Sequence, residues 1–545
     1  VGFMTGGKRR SFIEGAAILT AAGMLAKAMG FVYRIFLTRI IGTEGIGLYQ
    51  VAYPVYTTLL VVSRSGIPIA LAKLISDKIS RGERKAAFQI FRVSRQLSFS
   101  LGLFFSILMI LLAKPLTIIF KWGPDAFYPV VAIAPAIFFV SIMATYRGFF
   151  QGLQDMVPTA LSQVVEQFVR MITMISLAYI LVRHSLSLAA AGATFGAVTG
   201  AVAGLFVLIF IYYKRRKKIW SFVREDPENY PDKEGTREII KDIASLAIPI
   251  TIGALVQPLM NLVDTIIVPM RLLAGNITSE PIALFGELTG VAMTMVNFPT
   301  IITASLATSL VPSIAEAYAL EEKSLVKRRT QSGLRLAVLI SFPAAVGLYV
   351  LAEPLTTIIF AVPSAARILR IVAWSVVFIG LQETSSAVLN GLGRTKIPAR
   401  NLFIGALINA FFNYTLTANP RFGIKGAAFG TVCGFAIAAL LNLIHVRRYT
   451  HFKIDIKALV LKPAIAVTIM GIVVKQAFAL LDYLLSFVTA YHYILSTFLA
   501  VLVGIIAYFL LLFITREIKY NDLLMIPVVG GKIARILKKI GLVRE

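Results

Sequence analysis

Charged residues are scarce in this chain of 545 residues: they make up 15% of it, against roughly 25% in a soluble domain. Hydrophobic residues make up 58%, and the mean hydropathy is +0.81. Cys433 is the single cysteine, so an internal disulfide is impossible. The four histidines have no ligand spacing, so we expect no structural metal site. These shortages exclude a soluble enzyme, a disordered regulator and a fibrous protein, and they predict a polytopic membrane protein.

Acidic residues are scarce relative to basic ones. The chain has 27 Asp and Glu against 54 Lys and Arg, which gives a net charge of +27. No module of interleaved aromatic and basic residues lies outside the apolar stretches, so we expect no nucleic-acid partner. In a membrane protein the same excess is explained by basic residues that crowd the cytoplasmic loops and meet anionic lipid headgroups.

Apolar stretches of about 20 residues, the length that crosses the hydrocarbon core, recur fourteen times along the chain. No stretch shows the sustained alternation of a membrane barrel, and only helices satisfy their backbone groups within one segment in lipid. The sequence therefore predicts an all-α polytopic protein with about fourteen transmembrane helices. Their centres fall near Met24, Thr58, Leu101, Ile137, Met174, Leu205, Leu255, Met295, Val338, Val377, Leu407, Ala436, Thr468 and Val501.

The basic residues alternate between successive connections. They are dense before the first stretch, at Lys8 to Arg10, and again in every second connection, as in the run 214–218. Because Lys and Arg mark cytoplasmic loops, the alternation predicts that both termini are cytoplasmic.

An internal repeat organises the chain. LAKPLTIIF (112–120) returns as LAEPLTTIIF (351–360), and GATFGAVTG (192–200) returns as GAAFGTVCG (426–434). The similar separations predict two six-helix lobes in parallel orientation, as in transporters built from repeats, with two further helices outside the repeat. The predicted segments are an N-terminal lobe (1–213), a basic cytoplasmic linker (214–241), a C-terminal lobe (242–448), two extra helices (449–515) and a basic amphipathic tail on the inner leaflet (516–545).

Ionisable residues inside the spans are the candidates for function, because a charge at the bilayer centre usually faces a cavity or a partner. Lys27 and Arg34 are seven residues apart and share one helical face, and Arg64 lies in the second span. Together they predict a cationic lining that holds an anionic headgroup, with the alternative that Lys27 reaches to the interface. Glu166 and Arg170, four residues apart, either contact substrate or simply pair with each other.

Asp264 is the best candidate for a site of coupling to a cation. It has no opposite charge within one helical turn, and Asn409 and Asn413 on another span add neutral oxygens that suit a sodium ion. Coupling to sodium or to protons is therefore expected, and no other cofactor; the alternative is that Asp264 pairs with a basic residue of another helix. No cluster of carboxylates lies at one membrane face, which argues against a membrane glycosyltransferase and against an enzyme in general.

Four stretches make a family resemblance specific. AMGFVYRIFLTRIIGTEGIGLYQVAYPVY (28–56), GFFQGLQDMVPTALSQVVEQFVR (148–170), PLMNLVDT (258–265) and FPTIITASLATSLVPSIAEA (298–317) resemble the SpoVB/YtgP group of polysaccharide-biosynthesis proteins. This group belongs to the MurJ-like branch of the multidrug/oligosaccharidyl-lipid/polysaccharide (MOP) exporter superfamily. The resemblance implies fourteen helices and the flipping of lipid II, the undecaprenyl-pyrophosphate-linked peptidoglycan precursor, by alternating access in the bacterial cell membrane. We expect a monomer.

The resemblance also implies roles for particular residues. Arg34, Arg64 and Lys27 look like cavity residues of the first two helices, and Asp264 with Asn409 and Asn413 looks like a cation site. One departure from the resemblance is Glu287, which stands in a helix where the MurJ branch often has an arginine. A substrate with a different glycan therefore remains an alternative. A flippase for another polyprenyl-linked precursor, in wall growth or in sporulation, is the first alternative. A drug exporter is the second, and the basic lining argues against it.

Overall fold

The computed structural model describes residues 12–64, 66–218, 221, 235–452 and 461–514. Over these residues all regular structure is helical, which agrees with the predicted all-α class. Most of the linker and the whole predicted tail, 516–545, lie outside the described residues. The α-helices are α1 Phe12–Arg64, α2 Ile67–Ser80, α3 Arg84–Ile119, α4 Phe127–Ile133, α5 Pro135–Gly152, α6 Val157–Leu181, α7 Leu186–Lys214, α8 Thr236–Ala274, α9 Pro281–Gly286, α10 Met293–Ala319, α11 Lys323–Val350, α12 Ala352–Leu355, α13 Ala366–Val372, α14 Ser375–Gly391, α15 Lys396–Leu416, α16 Ile424–Thr450, α17 Lys462–Ser486 and α18 His492–Ile514.

Helix α1 is too long for one crossing. Its 53 residues would extend roughly 80 Å at 1.5 Å per residue, while the hydrocarbon core is about 30 Å thick. Gly42 interrupts it with φ 66° and ψ −172°, a conformation that is essentially confined to glycine. The predicted centres Met24 and Thr58 lie on opposite sides of this break, so the first two predicted spans are one kinked element.

The described residues contain eleven helical segments that are long and apolar enough to cross a membrane, or twelve if a bent pair counts as one span. The bent pair joins Pro363–Val372 to Ser375–Gly391 at 44°. The predicted count of fourteen is therefore not confirmed. The stretch Ile18–Ser80 contains two predicted centres but is one segment, and α15, which contains the predicted centre Leu407, is not among the segments.

The chain divides into two compact units, Val1–Met270 and Arg271–Glu545, with the boundary inside α8. In the first unit α6 packs along α7, and in the second α15 packs along α16. Glycines spaced four apart allow both approaches: an added Cβ on Gly196 or Gly200 would meet the α6 backbone, and one on Gly426 would meet the α15 backbone. Because these glycines belong to the repeated sequence GxxxGxxxG, the same close packing of helices is built twice.

Trp122 completes the hydrogen bonding of α8. Its side chain is 2% exposed, and its indole Nε1 donates to the backbone carbonyl of Thr265 at 3.0 Å. In a regular helix that carbonyl accepts from the amide four residues later. That residue is Pro269, which has no N–H. The indole therefore replaces the helical hydrogen bond that proline removes.

We expect Trp122→Phe to lower the midpoint of thermal unfolding, because a buried carbonyl without a donor costs about 1–3 kcal/mol. Pro269→Ala restores an N–H to α8, so Trp122→Phe should cost less in a Pro269→Ala background. Melting of the four proteins in detergent measures this coupling. An equal loss in both backgrounds would show that only the packing of the Trp122 ring matters.

Candidate functional site

A carboxylate on α6 joins two arginines inside the first unit. Arg147 on α5 donates through Nη2 to Oε2 of Glu166 at 2.8 Å, and Arg170 pairs through Nη2 with Oε1 at 3.3 Å. The three side chains are between 11% and 15% exposed. Arg147 also donates to Oγ of Ser162 at 2.9 Å. Each oxygen of Glu166 thus holds one guanidinium, so the single carboxylate is shared by two cations.

Arg34 and Arg64 on α1 are half-buried and are linked to this group by electrostatic interactions. Arg64 interacts electrostatically with Arg147 and Glu166, and Arg34 hydrogen-bonds to the Tyr33 hydroxyl. The Nε atoms of Arg64 and Arg170 are buried and donate to no acceptor among the described residues. We call Arg34, Arg64, Arg147, Glu166 and Arg170 the cationic cluster. Glu166 is the one carboxylate that we include in this cluster, and an anion with several oxygens can accept the unused N–H groups of Arg64 and Arg170.

Glycine packing of α7 against α6 sets the position of this cluster. An added Cβ on Gly200 would lie 2.6 Å from the carbonyl oxygen of Glu166 and 2.9 Å from Cβ of Arg170. One on Gly196 would lie 3.0 Å from the carbonyl oxygen of Arg170. The α7 glycines therefore lie directly behind the residues that carry the charge, and their small size lets α6 sit close to α7.

The structure brings together most of the predicted headgroup residues. Arg34, Arg64, Glu166 and Arg170 meet, and the expected pairing of Glu166 with Arg170 is present. Lys27 is exposed on α1 and lies outside the buried cluster. Arg147 was missed, although an arginine inside the apolar stretch of α5 was a visible signal. Whether these residues bind substrate stays a prediction.

Tyrosines were also missed. Tyr33, Tyr49 and Tyr56 on α1 are 5%, 2% and 2% exposed, while Tyr53 is half-buried. The rings of Tyr49 and Tyr53 stack with centroids 5.6 Å apart, and Tyr56 follows Tyr53 at another 5.6 Å. Their spacing of four and three residues places them on one helical face, beside the arginines of the cluster.

Two asparagines converge on a glycine in the second unit. Asn409 and Asn413 are 0% and 1% exposed on α15. An added Cβ on Gly430 of α16 would lie 2.5 Å from Oδ1 of Asn413, 3.0 Å from Oδ1 of Asn409 and 3.1 Å from the backbone oxygen of Asn409. Three oxygens thus lie against Gly430, and oxygen atoms are the ligands that hard cations prefer. Asp264 lies half-buried on α8, in the first unit.

Glu287 is buried in a π-helical turn, Glu287–Ala292, that follows α9. Its Oε1 accepts a hydrogen bond from Ser364 at 2.6 Å, and Arg367 lies 3.9 Å from its Oε2. The side chain that departs from the MurJ-like pattern is therefore a carboxylate held inside the second unit.

Comparison with known proteins identifies the family. The model of the family described as polysaccharide biosynthesis protein matches residues 12–318, and the MatE model matches 249–415. Stage V sporulation protein B of Bacillus subtilis (strain 168) is 31% identical, over 97% of this chain and 100% of its own length. Lipid II flippase MurJ of the same organism is 27% identical, over 87% of this chain and 90% of its own length.

Solved structures show the same fold at low identity. A structure of lipid II flippase MurJ in an inward closed conformation aligns with a TM-score of 0.67 at 16% identity, over 93% of this chain and 100% of that one. An inward-facing multidrug resistance MATE family transporter of the MOP superfamily aligns with a TM-score of 0.66 at 16% identity, over 81% and 98%. The chain therefore has a MOP-type fold of many apolar helices.

Proposed function

Because the chain belongs to the polysaccharide biosynthesis protein family, we propose that it is a flippase for a lipid-linked glycan in the bacterial cell membrane, with both termini cytoplasmic. The proposed substrate is lipid II, which it moves from the inner to the outer leaflet by alternating access. No bond is made or broken in this cycle, so the protein is a transporter and not an enzyme.

The cationic cluster carries this proposal. A buried charge is costly unless it is paired, yet Glu166 already holds Arg147 and Arg170 when Arg64 interacts with it as well. A pyrophosphate supplies the missing negative charge and enough acceptor oxygens for several guanidinium groups, which match phosphate geometry in a bidentate manner. The cluster fits a cationic drug poorly, because like charges would face each other.

A second candidate is a flippase for another polyprenyl-pyrophosphate glycan. Glu287 supports it, since a buried carboxylate replaces the arginine often found in the MurJ branch. The 31% identical relative is named for sporulation, which is compatible with a precursor other than that of vegetative wall growth. Both candidates require the same cluster, since both ligands carry a pyrophosphate.

Flipping in proteoliposomes tests the proposal. Purified protein is reconstituted with labelled lipid II, or with a polyprenyl-pyrophosphate-linked neutral oligosaccharide, and the movement between leaflets is followed with and without protein. Selective movement of lipid II supports the first candidate, and movement of only the other lipid supports the second. If neither lipid moves under an imposed membrane potential and a sodium gradient, the flippase proposal is wrong.

The asparagine pair supports sodium as the coupling ion. Three oxygens converge beside Gly430, and none of the groups that supply them carries a charge, which suits a monovalent cation better than a proton. Asp264, half-buried on α8 in the first unit, is a separate candidate for the coupling step. An ion that binds the folded protein stabilises it by about 2.7 kcal/mol at 100 times its dissociation constant, so binding can be read without transport.

We expect sodium chloride to raise the midpoint of thermal unfolding more than potassium chloride at equal ionic strength. Asn413→Ala should abolish this difference because it removes one of the converging oxygens. Asn401→Ala is the matched control: Asn401 is also fully buried on α15, but it hydrogen-bonds to Asn442 at 2.9 Å. A sodium effect that survives Asn413→Ala would contradict the assignment.

A further inference from the structure

Tyr53 differs from the tyrosines around it. Tyr33, Tyr49 and Tyr56 are buried, whereas Tyr53 is half-buried and lies between Tyr49, on which it stacks, and Tyr56, whose ring is tilted by 56°. Its neighbours therefore fix the direction of its ring, while part of its surface stays accessible. A rigid, partly accessible aromatic ring is a common feature of ligand pockets, where apolar and aromatic surface accompanies a few placed polar groups.

Three arginines of the cationic cluster, Arg34, Arg64 and Arg170, interact electrostatically with Tyr53. They come from two different helices, α1 and α6, so Tyr53 interacts with both parts of the cluster. A ligand whose phosphates occupy these guanidinium groups would place its next chemical group against Tyr53.

We propose that Tyr53 selects for a sugar attached to the pyrophosphate. This inference rests on the proposed function, in which the arginines hold a pyrophosphate lipid. In such a ligand the group after the phosphates is a sugar ring. One face of a sugar presents C–H groups, which pack against an aromatic ring, while its hydroxyls remain free for polar partners. Tyr53 thus distinguishes a glycosylated lipid from the bare polyprenyl pyrophosphate.

The test compares binding of two probes to the full chain in detergent: lipid II and undecaprenyl pyrophosphate, which lacks the sugar. We expect Tyr53→Leu, which fills similar space without an aromatic face, to weaken lipid II binding about tenfold, the upper end of what one aromatic contact supplies. Binding of undecaprenyl pyrophosphate should stay unchanged, which also reports that the variant is folded. Tyr53→Phe keeps the ring and should keep the preference for lipid II.

Other results overturn the inference. Equal weakening of both probes by Tyr53→Leu, with the melting midpoint of the protein unchanged, would mean that Tyr53 only positions the arginines. Equal weakening by Tyr53→Phe would mean that the hydroxyl acts on the phosphates. Unchanged binding of both probes by Tyr53→Leu would remove Tyr53 from the site.

If the wild-type protein bound neither probe, the proposed function itself would fail, and this inference with it. Tyr128→Ala, at an exposed residue of α4, is the control.

Discussion

Arg64→Ala should reduce lipid II flipping about 100-fold, because truncating one partner of a buried charge pair, here the proposed pair of Arg64 with the pyrophosphate, costs about 2–5 kcal/mol. Arg64 has a buried Nε without an acceptor among the described residues, and it is not held by Glu166 as Arg147 and Arg170 are. The guanidinium of Arg64 is therefore more available to a ligand than those of Arg147 and Arg170. Initial flipping rates in proteoliposomes at a fixed lipid II concentration measure the effect.

Matched variants separate charge from geometry. Arg64→Lys keeps the positive charge but loses the planar fork that meets phosphate oxygens in pairs, so its rate should lie between those of the wild type and Arg64→Ala. Arg34→Ala should also impair flipping. Arg183→Ala removes an exposed arginine of the same unit and should leave the rate unchanged. A wild-type rate for Arg64→Ala would show that the cationic cluster does not hold the headgroup.

Gly66→Ala should abolish flipping while the protein still inserts into the membrane. The N–H of Gly66 donates to Oγ1 of Thr251 on α8 at 3.1 Å. An added Cβ would overlap the carbonyl oxygen of Ala247 and would lie 2.5 Å from its Cα. No choice of rotamer relieves a clash with backbone, so α2 and α8 must separate. The conformation described here would then be inaccessible, and a cycle that passes through it would stop.

The control for this prediction is Gly253→Ala on α8, because an added Cβ there meets no atom within 4 Å. Its flipping rate should match the wild type. Spin labels at Asp77→Cys on α2 and Asp242→Cys on α8, in a Cys433→Ser background, report the separation of the helices. We expect a longer distance in Gly66→Ala. An unchanged distance together with normal flipping would show that the close approach is dispensable.

Much of the membrane architecture was readable along the chain because lipid imposes one-dimensional constraints. Each span must satisfy its own backbone and stay apolar for about 20 residues, so the stretches around Leu205 and Ala436 were predicted as helices and are helices. The break at Gly42 was missed, and the crossing count of fourteen was not confirmed. Whether a kinked element such as Phe12–Arg64 is one helix or two depends on a backbone angle and not on hydropathy.

The sequence predicted the charged residues of the candidate site but not its tyrosines. The sequence identified four charged residues of the site, because a charge in an apolar span is costly and usually faces a cavity or a partner. These residues are Arg34, Arg64, Glu166 and Arg170. The tyrosines of α1 did not stand out, since aromatic residues are ordinary in a membrane helix. Their role depends on which arginines they face, and those come from helices more than one hundred residues apart in sequence.

The sequence by itself determined the class of protein, the repeated helices, the positive charge and the residues that resemble a known family, because composition and spacing are properties of the chain. Tertiary structure alone decided how the repeat was used. The same GxxxGxxxG packing places Glu166 and Arg170 behind Gly200 in the first unit, and Asn409 and Asn413 against Gly430 in the second. Glycine lets two backbones approach, but the facing helix supplies the chemistry, so one motif positions the residues of the proposed anion site and those of the proposed cation site.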